Sequence, residues 1–145
     1  MGYRFTLAVV LKLRESIEER DLRVLEQTQL EIAHTIRVLQ SIRDQALAEL
    51  ATRECELATG TSGAHLQVVE GMKDRAQKAQ VDVERSLAQL QLRREQQLAA
   101  YEASKRKREV LSDLRQHQKE AYELQAVRSR QRATDDLFLA RFCQK

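Results

Sequence analysis

Apolar residues recur through most of this chain at steps of three, four or seven. Before residue 58 they fall at Leu25, Ile32, Ile36, Leu39, Ala46, Leu50 and Leu57. Later they fall at Leu66, Val69, Met72, Ala76, Ala79, Val83, Leu87 and Leu90, and Leu98, Tyr101, Leu111 and Leu114 continue less regularly. A period near 3.5 places such residues on one narrow stripe of an α-helix, which stays wet unless a second helix covers it. One segment breaks the pattern: Ala58-Thr59-Gly60-Thr61-Ser62-Gly63-Ala64. Gly60 suits the left-handed position just past a helix end. Thr61 or Ser62 can cap the following helix by accepting a backbone hydrogen bond. The pattern predicts an all-α fold, a long two-helix antiparallel coiled-coil hairpin forming one domain over 1–145. Its first helix runs from about 5 to 58, its turn over 59–63 and its second helix from about 64 to 142. At the α-helical rise these helices are roughly 80 Å and 115 Å long.

Folding about residue 61 sets position i opposite roughly 122 − i, so Phe5 meets the region of His117 and Leu25 meets Leu98. The second helix then outruns the first by about 25 residues. This overhang, Gln118 to Lys145, carries Tyr122, Leu124, Val127, Leu137, Phe138 and Phe142 with no internal partner. The opening Phe5-Thr6-Leu7-Ala8-Val9-Val10-Leu11 is also richer in apolar residues than a two-stranded seam needs. Surplus apolar surface of this kind marks a docking site, and both segments lie at the end bearing the termini.

Composition supports an extended object. The chain has 145 residues, no proline or tryptophan, 4 % aromatics and 32 % charged residues, with glycine only at 2, 60, 63 and 71. A compact core of this length recruits more large aromatic side chains. The net charge of +3 is uneven, with residues 101–145 carrying 11 basic and 7 acidic side chains. Lys105-Arg106-Lys107-Arg108 is the densest basic run. It can be a solvated helix surface, a contact for an acidic protein or a nucleic-acid contact; only Tyr101 lies near as a base-stacking aromatic. Gly71, in a helix interior, marks either a locally loose turn or a close approach to the backbone.

Little in the chain points to chemistry. His34, His65 and His117 are scattered, so no metal site is expected. Phosphate-loop, dinucleotide and nucleophile-elbow motifs are absent. Carboxylates such as Glu15, Glu18 and Glu19 sit on a narrow helix pair that offers no pocket. The chain is read as no enzyme, with no cofactor, no small-molecule substrate and no nucleic-acid partner. Cys55 and Cys143 fall near opposite ends of the hairpin, roughly 100 Å apart by helical rise, and are read as reduced thiols. The apolar run Phe5–Leu11 is too short to span a bilayer, and no small-residue cleavage site follows it. Met1-Gly2-Tyr3-Arg4-Phe5-Thr6 fits the loose myristoylation pattern, a match short enough to arise by chance.

The two ends also resemble a known family. Phe5-Thr6-Leu7-Ala8-Val9-Val10-Leu11-Lys12-Leu13-Arg14 is similar to the F-x-L-x-x-V-L-x-[LY]-R opening of the bacterial flagellar export protein FliJ, and Glu18 and Glu19 match its acidic continuation. Arg128-Ser129-Arg130-Gln131-Arg132-Ala133-Thr134-Asp135-Asp136 resembles the family's R-x-E-Q-K-x-x-D-E, with Arg128, Gln131 and Asp135 in place and Arg130 where the family has glutamate. Tyr101 followed by Lys105 and Arg106 also fits. The resemblance spans essentially the whole chain. It implies a stalk-like component of the flagellar type III export apparatus that docks in the hexameric export ATPase, contacts the membrane export gate and helps cycle export chaperones. It implies a cytoplasmic location, peripheral to the inner membrane at the flagellar base. Carried onto this chain, Phe5, Leu7, Leu11, Arg14, Arg128, Gln131, Asp135 and Asp136 would dock in the ATPase ring, while Val69, Met72 and Lys73 near the turn would face the gate. A generic coiled-coil scaffold, the related injectisome stalk proteins and a nucleic-acid-binding rod are the alternatives.

Overall fold

The computed structural model describes residues 3–142. Two helices account for nearly all of them, α1 (Ala8–Thr59) and α2 (Gly63–Phe142), and no strand occurs among the described residues. The fold is the all-α helical hairpin that the apolar period predicts. Met1 and Gly2, on which the myristoylation pattern rests, and Cys143 lie outside the described residues.

The reversal is built from local chemistry. Gly60 adopts φ +91°, the left-handed conformation that glycine enters without steric penalty. The Thr61 hydroxyl donates to the Glu56 carbonyl at 2.8 Å and satisfies one of the orphan acceptors at the end of α1. The Ser62 hydroxyl accepts from the His65 amide at 3.4 Å, so serine is the cap of α2. At the other end α1 begins at Ala8, later than the apolar run suggests, because Tyr3–Leu7 turns instead; the Ala8 amide donates to the Phe5 carbonyl at 3.3 Å.

The chain divides into two compact units, Asp21–Ala100 and Met1–Arg20 with Tyr101–Lys145. In the unit Asp21–Ala100, α1 buries Leu25, Thr28, Ile32 and Leu39, with Thr35, Ile42 and Ala46 half-buried on the same steps of three and four. From α2 the half-buried set is Leu66, Val69, Ala76, Gln80, Val83, Leu87, Leu90 and Gln97. This is a heptad seam on each helix. Ile36, Leu50, Leu57, Met72, Ala79 and Leu98, expected on the seam, are exposed, since each falls one residue to one side of a seam position and points to its flank. Polar residues occupy several seam positions instead. Thr28 and Thr35 can be there because each hydroxyl donates to the carbonyl four residues back, Val24 at 3.1 Å and Glu31 at 2.8 Å. Arg43 pairs with Glu84 at 3.0 Å and Arg53 with Glu70 at 3.1 Å. Arg53–Glu70 lies within one residue of the register set by folding about residue 61, and Arg43–Glu84 lies just over one helical turn from it.

Gly71 lies on the outer face of α2, and a Cβ built there would meet nothing within 4 Å. Among the described residues no close approach to its backbone explains it. Gly71→Ala should therefore stabilise the protein by about 0.5–1 kcal/mol through helix propensity alone. A urea titration should show a raised midpoint at unchanged slope; a lowered midpoint would mean that the glycine serves a conformation other than this helix.

Candidate docking surface

The unit formed by Met1–Arg20 and Tyr101–Lys145 brings together both segments that resemble the family. The N-terminal stretch is strapped to α2. The Tyr3 hydroxyl donates to the Arg115 carbonyl at 3.1 Å, and its ring lies 5.8 Å from that of Tyr122, tilted by 46°. Phe5 and Leu11 are buried, so the apolar surface they carry is already covered within the chain. Leu7 sits at the edge, Arg14 is half-buried, and Val9 and Leu13 face outward. Sequence reasoning passed over Tyr3, whose aromatic type close to Phe5 was the only signal.

Behind this strap lies the strongest polar contact of the unit. Arg108 donates from Nε to one Glu18 oxygen at 2.7 Å and from a terminal nitrogen to the other at 3.3 Å. Two parallel bonds of this kind fix both side chains in one geometry. The hydrogen bonds from Arg108 hold the Glu18 carboxyl below the ordinary carboxylate range against partial burial, with the Arg108 and Lys105 charges adding to the effect. Ser104 is buried beside this layer, its hydroxyl donating to the Tyr101 carbonyl at 2.9 Å. The basic run is thus partly neutralised inside the chain: Arg108 by Glu18, and Arg106 by Glu102 at 3.9 Å.

Beyond Tyr122 the hairpin seam runs out of large apolar side chains, and Ala126 alone stays half-buried among the described residues. The seam's next positions are Gln125, Ser129, Arg132 and Asp136, all exposed. The apolar residues move to another face. Val110, Leu114, His117, Ala121, Leu124, Arg128, Gln131, Asp135, Phe138 and Phe142 follow one another at alternating steps of four and three. That spacing is a second heptad stripe, turned away from the first. Every residue on it is exposed, Phe142 at 74 %, and the rings of Phe138 and Phe142 lie 5.9 Å apart on this face. Arg128, Gln131 and Asp135, matched to the family by sequence, form the polar centre of the same stripe. Asp136 falls outside it. Among the described residues neither Arg128 nor Asp135 has an ion-pair partner, and they cannot pair with each other, since seven residues, about 10 Å of rise, separate them along the helix.

The other predicted contact lies in the unit Asp21–Ala100. Val69 is half-buried and Met72 exposed. Lys73 bonds Glu70 at 3.1 Å, and Arg53 bonds the same carboxylate from α1. These cations lower the Glu70 pKa, through the Lys73 hydrogen bond first. Glu84 is lowered too, by hydrogen bonds from Gln80 and then Arg43. Ala46 and Ala76 put short side chains on facing seams, leaving a shallow cleft of about 210 Å³ that Ile42, Leu50, Arg53, Val69 and Lys73 also line.

Among the described residues no three His, Cys, Asp or Glu side chains converge as metal ligands, and no helix is long and apolar enough to cross a membrane. His65 instead pairs with Glu56 at 3.1 Å beside the turn. Cys55 is exposed. No match was found among the curated proteins or among the solved structures. The family model described as flagellar FliJ protein matches residues 3–145. Covering essentially the whole chain, that match shows that this protein belongs to the FliJ family of non-enzymatic proteins of flagellar export.

Proposed function

We propose that this chain acts, without catalysis, as the stalk of the flagellar export ATPase. The unit bearing the termini docks in the hexameric ring. There the exposed stripe supplies Arg128, Gln131 and Asp135 between Leu124 and Phe138, with Asp136 beside it. Leu7 and Arg14 add contacts from the strap, while Phe5 and Leu11, buried, hold that strap in place. The cleft lined by Val69 and Lys73, together with exposed Met72 beside it, faces the membrane export gate from the cytoplasmic side, and the protein assists the cycling of export chaperones. The observation that carries this reading is the coincidence of the family-like polar residues with an exposed apolar heptad stripe. An unsatisfied stripe of this period takes up another helix or a concave apolar surface.

Paired helices resist bending, so a part held in the ring can transmit a force or bias assembly of the ring around it. The test is to mix the purified protein with the cognate export ATPase and measure hexamer content and hydrolysis rate. Both should rise with added protein, and Leu124→Asp with Phe138→Asp should abolish most of the rise while leaving helicity unchanged. No change in either quantity at stoichiometric excess of the unaltered protein would remove the stalk reading.

A further inference from the structure

The second stripe carries a property beyond being apolar: it is complementary to itself when reversed. Counted from Gln131, Arg128 lies three residues before and Asp135 four after; Leu124 lies seven before and Phe138 seven after; Ala121 lies ten before and Phe142 eleven after. We propose that two copies of this chain pair antiparallel through the exposed stripe Ala121–Phe142, about a two-fold axis near Gln131. Arg128 of each copy then comes within reach of Asp135 of the other. The Leu124 end of each meets the Phe138 and Phe142 end of the other. A two-fold makes the contact isologous, so each favourable pairing occurs twice.

Charge selects the direction. A parallel pair would set Arg128 against Arg128 and Asp135 against Asp135, which like-charge repulsion opposes. Shape agrees with the antiparallel choice. Ala121 is the small member of the stripe and lines a shallow groove with Leu124, Gln125 and Arg128. The bulky Phe142 of the opposite copy arrives at that end. Arg128 and Asp135, which have no ion-pair partner among the described residues, both gain one. The contact is short and has a polar centre, so it belongs with weak, reversible interfaces. Self-pairing covers the face that the docking reading assigns to the ATPase, so a paired copy would be a stored form excluded from the ring. Self-pairing itself needs no second protein.

Sedimentation of the pure full-length chain over a concentration series tests this. The mass should rise from one chain towards two. Arg128→Asp alone and Asp135→Arg alone should each weaken association by about tenfold or more, because each puts like charges together at both ends of the two-fold. An equimolar mixture of the two variants should associate again, since every Asp then faces an Arg. Circular dichroism keeps the result interpretable, as these exposed changes should leave helicity intact. A mass of one chain at every concentration would overturn self-pairing, as would association that neither single change weakens, or single-variant losses that mixing does not restore. None of these results bears on hydrolysis by the ATPase, which is read separately.

Discussion

Replacing Leu25 by aspartate is expected to abolish most of the cooperative helical signal of this protein at room temperature. Only five apolar residues among those described are buried: Phe5, Leu11, Leu25, Ile32 and Leu39. Leu25 is among the two most deeply covered, at 5 % exposure. Truncating such a side chain to alanine costs about 2–4 kcal/mol. An aspartate there adds an unpaired carboxylate facing an apolar seam, which costs more. Domains of this size have roughly 5–15 kcal/mol in total, and a narrow seam sits at the low end of that range. Leu25→Ala should therefore lower the thermal midpoint by many degrees while keeping a cooperative transition. Leu25→Asp should give a broad, weakly helical melt. Exposed Leu30 provides the control, since Leu30→Asp lies on the outer face and should change the midpoint little. Equal effects at positions 25 and 30 would mean that α1 does not bury this seam in solution.

That contrast also shows how far apolar spacing can be read. Leu25, Ile32, Leu39 and Ala46 were legible because each repeats the one before at seven residues. Ile36, Leu50 and Leu57 were misplaced because apolarity alone does not separate a seam position from its flank, one residue away. Thr28, Thr35 and Ser104 stayed hidden for the opposite reason. They read as surface residues, yet each hydroxyl is satisfied by a carbonyl of its own helix and can be covered. The turn was legible through its left-handed glycine, which acts on its immediate neighbours, but not down to its cap: Thr61 and Ser62 both fit, and Ser62 takes it while Thr61 bonds back to Glu56. The strap was less so: Phe5 and Leu11 read as surplus until Tyr3 was seen to hold the segment against α2. The second stripe is visible in the sequence once Arg128, Gln131 and Asp135 are counted with the apolar residues. Counting only the apolar ones leaves gaps that conceal its period.

The Glu18–Arg108 pair was also within reach, because the predicted register brings the acidic Glu15, Glu18 and Glu19 close to the basic run. Its consequence is a pH dependence with a definite sign. Arg108 holds Glu18 below the 4.5 of an ordinary glutamate, so the folded state binds a proton less readily than the unfolded chain does. The stability this contributes is present above pH 4.5 and is lost as the pH falls through the lowered folded value. Arg108→Ala should cost about 1–2 kcal/mol at neutral pH, between the values for exposed and buried ion pairs, since both side chains are only partly covered. Glu18→Gln should flatten the acid limb. The unaltered protein should lose more stability between pH 5 and pH 3 than the glutamine variant, and added salt should narrow the gap only slightly at this short, partly covered contact. Glu70 and Glu84 are also lowered and contribute to the same limb in both proteins, so the difference between the two curves isolates Glu18. Parallel urea titrations across that interval decide the matter. Curves of equal slope would show that Glu18 titrates alike in the folded and unfolded chains, and the two short hydrogen bonds to Arg108 would then have no thermodynamic counterpart.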